Sequence, residues 1–179
     1  MIVTQVSGLW CNLLIRMNSA DRVRCVLMRR HRFLLAQHYS RRPDKIGKWG
    51  LPGGRVKRSE EPQAGLRREL LEELRLSVPY LIELGDCQHR GHTHRIFGCE
   101  IDTLIEWFDM NEILDIGWFT YDEVAGMAEA DRLRTGFELG AISAFRRRVQ
   151  PLIDSSELWP QGRRRGRGVL EMPWAASLR

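Results

Sequence analysis

Val23 to Met28 and Phe33 to Gln37 are short apolar stretches on either side of Arg29-Arg30-His31-Arg32. That pattern predicts two antiparallel strands joined by a polar turn. Ser40 to Gly47 follows as a charged loop, and in Trp49-Gly50-Leu51-Pro52-Gly53-Gly54 closely spaced Gly and Pro fix a tight backbone path. Pro62 to Leu74 has helical periodicity, with Pro62 tolerated in the first turn. Alternation then predicts strands around Tyr80 to Leu84, His94 to Ile101 and Gly117 to Thr120. Tyr121 to Glu129 and Thr135 to Val149 read as helices, with Thr135 capping the second.

The two ends follow no such pattern. In residues 1–22, Leu9, Trp10, Leu13, Leu14 and Ile15 are candidates for a sheet-edge cover, for a subunit contact in a homodimer, or for an extra strand or turn on the core. Beyond Pro151 the periodicity ends, and residues 154–179, with Pro160, Pro173 and Arg163-Arg164-Arg165-Gly166-Arg167, are expected to be a mobile tail. The organisation is therefore an extension over 1–22, one domain over 23–153 and a basic tail over 154–179, with no internal repeat.

Composition narrows the class. The 179 residues, 43% hydrophobic and 28% charged, suit one soluble globular domain that needs no staple. No apolar run approaches the roughly 20 residues of a membrane-spanning helix, and no signal-peptide pattern opens the chain, so a cytoplasmic protein is expected. Four cysteines, Cys11, Cys25, Cys87 and Cys99, then read as reduced thiols. The net charge is +5 and the basic residues are almost all Arg. A guanidinium fork matches phosphate oxygens, which suits an anionic ligand; a genome rich in G and C gives the same composition.

Candidate chemistry concentrates in Gly54 to Leu76. Five residues separate Gly54 from Glu60, and seven more precede Arg68-Glu69-Leu70-Leu71-Glu72-Glu73. Glu69, Glu72 and Glu73 share a helix face across an arc of about 100°, beside an anchoring stripe of Leu66, Leu70 and Leu74. Like charges so placed repel by a few tenths of a kcal/mol per pair. A hard cation such as Mg²⁺, or alternatively Mn²⁺, would relieve that repulsion; an acidic solvated face is the other reading of the same residues.

This spacing resembles the signature box of the Nudix hydrolases: Gly, five residues, Glu, seven residues, Arg-Glu, apolar, any, Glu-Glu, any, Gly, apolar. Every defined position is met except one, where Arg75 stands for the second Gly. The approach Trp49-Gly50-Leu51-Pro52-Gly53 is similar to that of the MutT-like branch. The resemblance implies an α/β fold, an α/β/α sandwich with a mixed sheet and a loop-helix-loop catalytic motif. It also implies Mg²⁺-dependent hydrolysis of a pyrophosphate bond in a small nucleotide substrate, with nucleoside triphosphates or oxidised nucleotides the expected class. By carry-over, Glu69, Glu72 and Glu73 bind metal or, for one of them, act as base, and the Gly53 carbonyl adds an oxygen. Arg68, with Glu60, orients the carboxylates. Glu112 would be a further ligand or base, with Asp115 its competitor. Gly53 and Gly54 let the backbone approach the substrate.

Arg75 raises a specific question, because Gly at that place commonly ends a helix with positive φ. Either Arg75 bears that geometry, or the helix runs on towards Pro79; a module that binds without turnover is the functional alternative. Other features are less specific. Cys87, His89, His92, His94 and Cys99 lack paired metal-ligand spacing, and His94 and Arg95 are instead candidates to hold a base or phosphate. The tail's arginines are a candidate RNA contact, with RNA 5′-pyrophosphohydrolysis the corresponding activity, or simply a solubilising end.

Overall fold

The computed structural model describes residues 20–156, with side chains through Val149. The terminal calls on the extension, its subunit contact and the RNA-binding tail lie outside the described residues. Five strands form one mixed sheet: β1 (Arg22–Arg29), β2 (Arg32–His38), β3 (Ile82–His89), β4 (His92–Glu100) and β5 (Ile113–Phe119). Their order is β3-β4-β1-β2-β5. Only β1 and β4 run parallel; the other neighbours are antiparallel. Among the described residues three α-helices complete the fold: α1 (Pro62–Leu74), α2 (Tyr121–Glu129) and α3 (Glu138–Ser156).

Period-two alternation in the strands divides the core. Val23, Cys25 and Leu27 face one side with Leu34, Ala36 and Phe97, and there they pack against Leu66, Leu70 and Leu74 of α1. Val26, Met28, Leu35 and Ile96 face the other side, against Val124 and Met127 of α2 and Ile142 and Phe145 of α3. The result is the expected α/β/α sandwich. Among the described residues, no helix is long and apolar enough to cross a membrane.

The predicted bounds of α1 and α2 hold, because both helices are fixed by local caps. Glu61 accepts from the Gln63 and Ala64 N–H groups ahead of Pro62, and Thr120 with Glu123 makes a capping box. Three other expectations shift. β3 begins at Ile82 and runs to His89, because the turn at Arg90 and Gly91, both at positive φ, sets its pairing with β4. β5 starts at Ile113, four residues before the predicted Gly117, since β2 offers it partners from Phe33 to His38. α3 begins at Glu138: Gly136 takes φ +86°, which breaks the helix, and Glu138 accepts from Thr135 N, Thr135 Oγ1 and Gly136 N. Thr135 is thus a donor to Glu138 rather than the cap, and α3 continues past Pro151.

Arg75 bears the left-handed geometry, with φ 49° and ψ 31°. Its N–H donates to the Leu71 carbonyl, the bond of an αL cap, and that of Leu76 donates to Leu70, so the last carbonyls of α1 are satisfied. The Arg75 guanidinium lies 4.1 Å over the Trp107 ring. The departure from Gly is absorbed outside the helix, and the Glu69–Glu73 turn stays helical.

Candidate active site

The Trp49–Gly54 segment is stitched across the strands. Gly50 and Ala36 exchange backbone hydrogen bonds at 2.9 Å, while Cys25 N donates to Pro52 O and Val23 N to Gly54 O at 3.0 Å. This seats Gly53 and Gly54 beside α1. Gly53 takes φ +118°, and a Cβ there would lie 2.5 Å from the Val23 carbonyl oxygen. Gly54 is required for space instead: its Cβ would meet the Glu69 carboxylate at 2.1 Å.

Arg68 is the hub of the acidic helix. It donates to both Glu60 oxygens at 2.9 Å, to Glu69 Oε1 at 2.9 Å, to Glu72 Oε2 at 2.8 Å and to the Arg55 carbonyl at 3.0 Å. Bonds from Arg68, then from the Lys57 N–H, hold the Glu60 carboxyl down to about 2. The same Glu60 contact leads those that raise the Arg68 pKa.

Glu73 is buried, with both oxygens engaged. Oε1 lies 3.0 Å from His38 Nε2, and Oε2 accepts from Gly53 N at 2.8 Å. Burial pushes its carboxyl up, but His38, the Gly53 N–H and Arg24 outweigh that and leave it lowered. Glu69 moves the other way: burial raises its carboxyl, and Glu73 and Glu72 add to this against Arg68. The two neighbouring carboxylates are therefore set apart by their surroundings.

Glu112 completes the cluster. The Asp109 N–H docks on the Glu73 carbonyl at the end of α1, Asp109 O accepts from Glu112 N, and Tyr39 N donates to Glu112 O. Carboxylate oxygens of Glu69, Glu73 and Glu112 come within 4.8 Å of one another. Three hard oxygen donors so gathered fit Mg²⁺ or Mn²⁺. Glu72 lies outside this triple, exposed and tied to Arg68. Asp115 accepts from the next N–H, that of Ile116.

His94 and Arg95 point to opposite faces. Arg95 is engaged by Asp86 through two bonds of 2.9 and 3.1 Å, whereas His94 is buried against Phe137 at 5.2 Å between ring centres. The five Cys and His residues weighed for zinc form no ligand group among the described residues, and Cys99 sits in the α1-side core, across the sheet from His94. Sequence reading missed His38, Arg24 and Arg134. They reach the site through strand pairing and loop return, which leave no spacing signal.

A family model described as the NUDIX domain matches residues 18–136. A protein of Streptomyces ambofaciens described as MutT-like is 35% identical over 97 residues, which cover 52% of this chain and 62% of that protein's length. The NUDIX domain of Shewanella oneidensis NrtR, solved in complex with ADP ribose, is 20% identical with a TM-score of 0.61, over 82% of this chain and 99% of that one. A C. elegans Ap4A hydrolase, solved as a binary complex, is 19% identical with a TM-score of 0.54, over 69% of this chain and 96% of that one. At these identities the solved structures are alike in fold.

Proposed function

The chain belongs to the NUDIX domain family, and from that membership we propose that it is a hydrolase that cuts a pyrophosphate bond in a nucleoside diphosphate-linked substrate, with a nucleoside triphosphate or an oxidised nucleotide the preferred class. The observation that carries this reading is the convergence of Glu69, Glu73 and Glu112 within 4.8 Å, beside a helix whose acidic face Arg68 locks. The fold neighbours solved with ADP ribose or described as an Ap4A hydrolase share a phosphoanhydride attached to a nucleoside.

A pyrophosphate is a polyanion and repels an incoming water. The three carboxylates would hold Mg²⁺ or Mn²⁺, which when bound neutralises the nonbridging oxygens and acidifies a water. The chain's own groups do the rest. Arg68 fixes Glu69 and Glu72 against their mutual repulsion, so the acidic face needs no rearrangement when substrate arrives. His38 and the Gly53 N–H hold Glu73 from both sides. One carboxylate of the cluster takes the water's proton, which is worth roughly 10²–10⁴-fold in rate.

The test is a panel of nucleoside triphosphates, oxidised dGTP, ADP-ribose, diadenosine polyphosphates and triphosphorylated RNA, each with Mg²⁺ or Mn²⁺. Glu73→Gln, checked for folding by circular dichroism, serves as the blank. Cleavage of at least one nucleotide, lost about 100-fold or more in Glu73→Gln, is the expected result. Turnover in the variant equal to the native chain's would show that the centre lies elsewhere.

A further inference from the structure

On the α2/α3 side of the sheet, β1 presents Arg22 and Arg24, two residues apart and hence on one face. The parallel register sets His94 directly beside Arg22. Arg134, from the loop that returns ahead of α3, packs on the neighbouring segment: a Cβ on Gly50 would lie 3.1 Å from its Cβ and Cδ. All three arginines are half-buried. Arg24 feels both Arg22 and Arg134 as repulsive neighbours and Arg134 feels Arg22; burial, which together with that repulsion outweighs the attraction of Glu73, brings Arg24 down to about 10.

Acidic groups act on these guanidiniums only from a distance, Glu73 on Arg24 and Glu138 on Arg134 foremost, and what they lack is a carboxylate in direct contact. Among the described residues no carboxylate lies within 4.0 Å of any of them, whereas Arg68 and Arg95 each have two or more. Among the described residues Arg24 donates to the Val23 carbonyl, at 3.3 Å, and Arg134 to the carbonyls of His38 and Tyr39, at 3.1 and 3.4 Å. Beside them His94, 3% exposed, has an Nδ1 without a partner among the described residues. Charge gathered out of water is stable when something pairs with it.

The location says what that something is. Glu73 and Glu69 are the acidic groups that act on Arg24 across a longer gap, so the cationic group borders the acidic centre. The Pro52–Gly54 backbone, bonded to β1 on either side of Arg24, lies between them. An anion here would sit next to the bond being cut. Phosphate, with up to two charges and three free oxygens, matches several guanidinium forks at once, where a carboxylate offers one charge and two oxygens.

We propose that Arg22, Arg24 and Arg134, with His94, form a phosphate subsite that takes a phosphate outside the scissile pair, and so select substrates carrying a third phosphate over those with two. This rests on the hydrolase reading for its substrate, and its binding test does not. Inorganic tripolyphosphate is titrated calorimetrically into the full chain in EDTA. The native chain binds it, and Arg24→Gln weakens binding about tenfold or more, as does Arg22→Gln, while Arg32→Gln, at an exposed arginine paired with Glu123, does not weaken it. No binding by the native chain, or native-like binding by both folded arginine variants, overturns the subsite. With Mg²⁺, Arg24→Gln lowers kcat/KM for a nucleoside triphosphate about tenfold and that for ADP-ribose by less than about threefold. Equal losses on both overturn the selectivity. Tripolyphosphate binding with no turnover of any member of the nucleotide panel upholds the subsite and rejects the hydrolase reading.

Discussion

Gly54 has no side chain because the Glu69 carboxylate occupies the space one would fill, 2.1 Å from the position of a Cβ. Its backbone torsions are ordinary, so the constraint acts through Glu69 rather than through the peptide's own freedom. Gly54→Ala must push that carboxylate away from Glu73 and Glu112. We expect activity to fall about 100-fold, since small misplacements of reacting groups cost on that order, while thermal unfolding shifts little. Initial rates and a melting curve on the same preparation check this, and rates within about threefold of native would show that Glu69 can move without loss. The residues nearest the acidic centre were legible in the sequence where spacing alone defines them: Glu60, Arg68, Glu69, Glu72 and Glu73 lie on one short segment. His38 was not, because a histidine ending a strand has no local mark. Only the β2–β5 register, which opposes His38 to Ile113, brings it and Glu112 to the same end of α1.

Helix α1 ends by an unusual choice of residue. A non-glycine residue in the left-handed region costs about 1–2 kcal/mol, and the Arg75 contact with Trp107 returns about 0.5–1 kcal/mol. Arg75→Gly should therefore stabilise the fold by about 0–1.5 kcal/mol, and by more when made in the Trp107→Ala background, where there is no ring contact left to lose. Urea unfolding of the four proteins measures the difference; equal gains in both backgrounds would mean the ring contributes nothing. Elements differ in the same way in how far the sequence revealed them. α1 and α2 were legible to the residue because Glu61 and Thr120 cap them locally. β3 and β5 were not, because their limits are set by the partner strand, and the start of α3 depends on a φ of +86° at Gly136 that composition does not encode.

At the scale of the molecule, the sheet separates two environments: a leucine-rich side under α1, and an α2/α3 side on which polar groups are buried at one end. His94 belongs to the second, where burial first, then Arg24, Arg22, His89 and His92, bring its pKa to about 3 from 6.5. A histidine lowered on folding binds its proton more readily when unfolded. Its contribution to stability is thus complete above pH 6.5 and is lost as pH falls from there towards 3. His89, also lowered by burial and then by Lys45, adds to the same slope. The native melting temperature should decline through this window, and less steeply in His94→Gln; parallel curves would assign the slope to other groups. The parallel pairing of β1 with β4, in which Arg22 meets His94, has a consequence for biosynthesis. The strand destined for the middle of the sheet leaves the ribosome long before its neighbour and spends that interval as an open edge, a surface prone to pairing with other chains. Glu112 emerges later still, so the acidic cluster begun by Glu69 and Glu73 is completed only once the chain has reached β5.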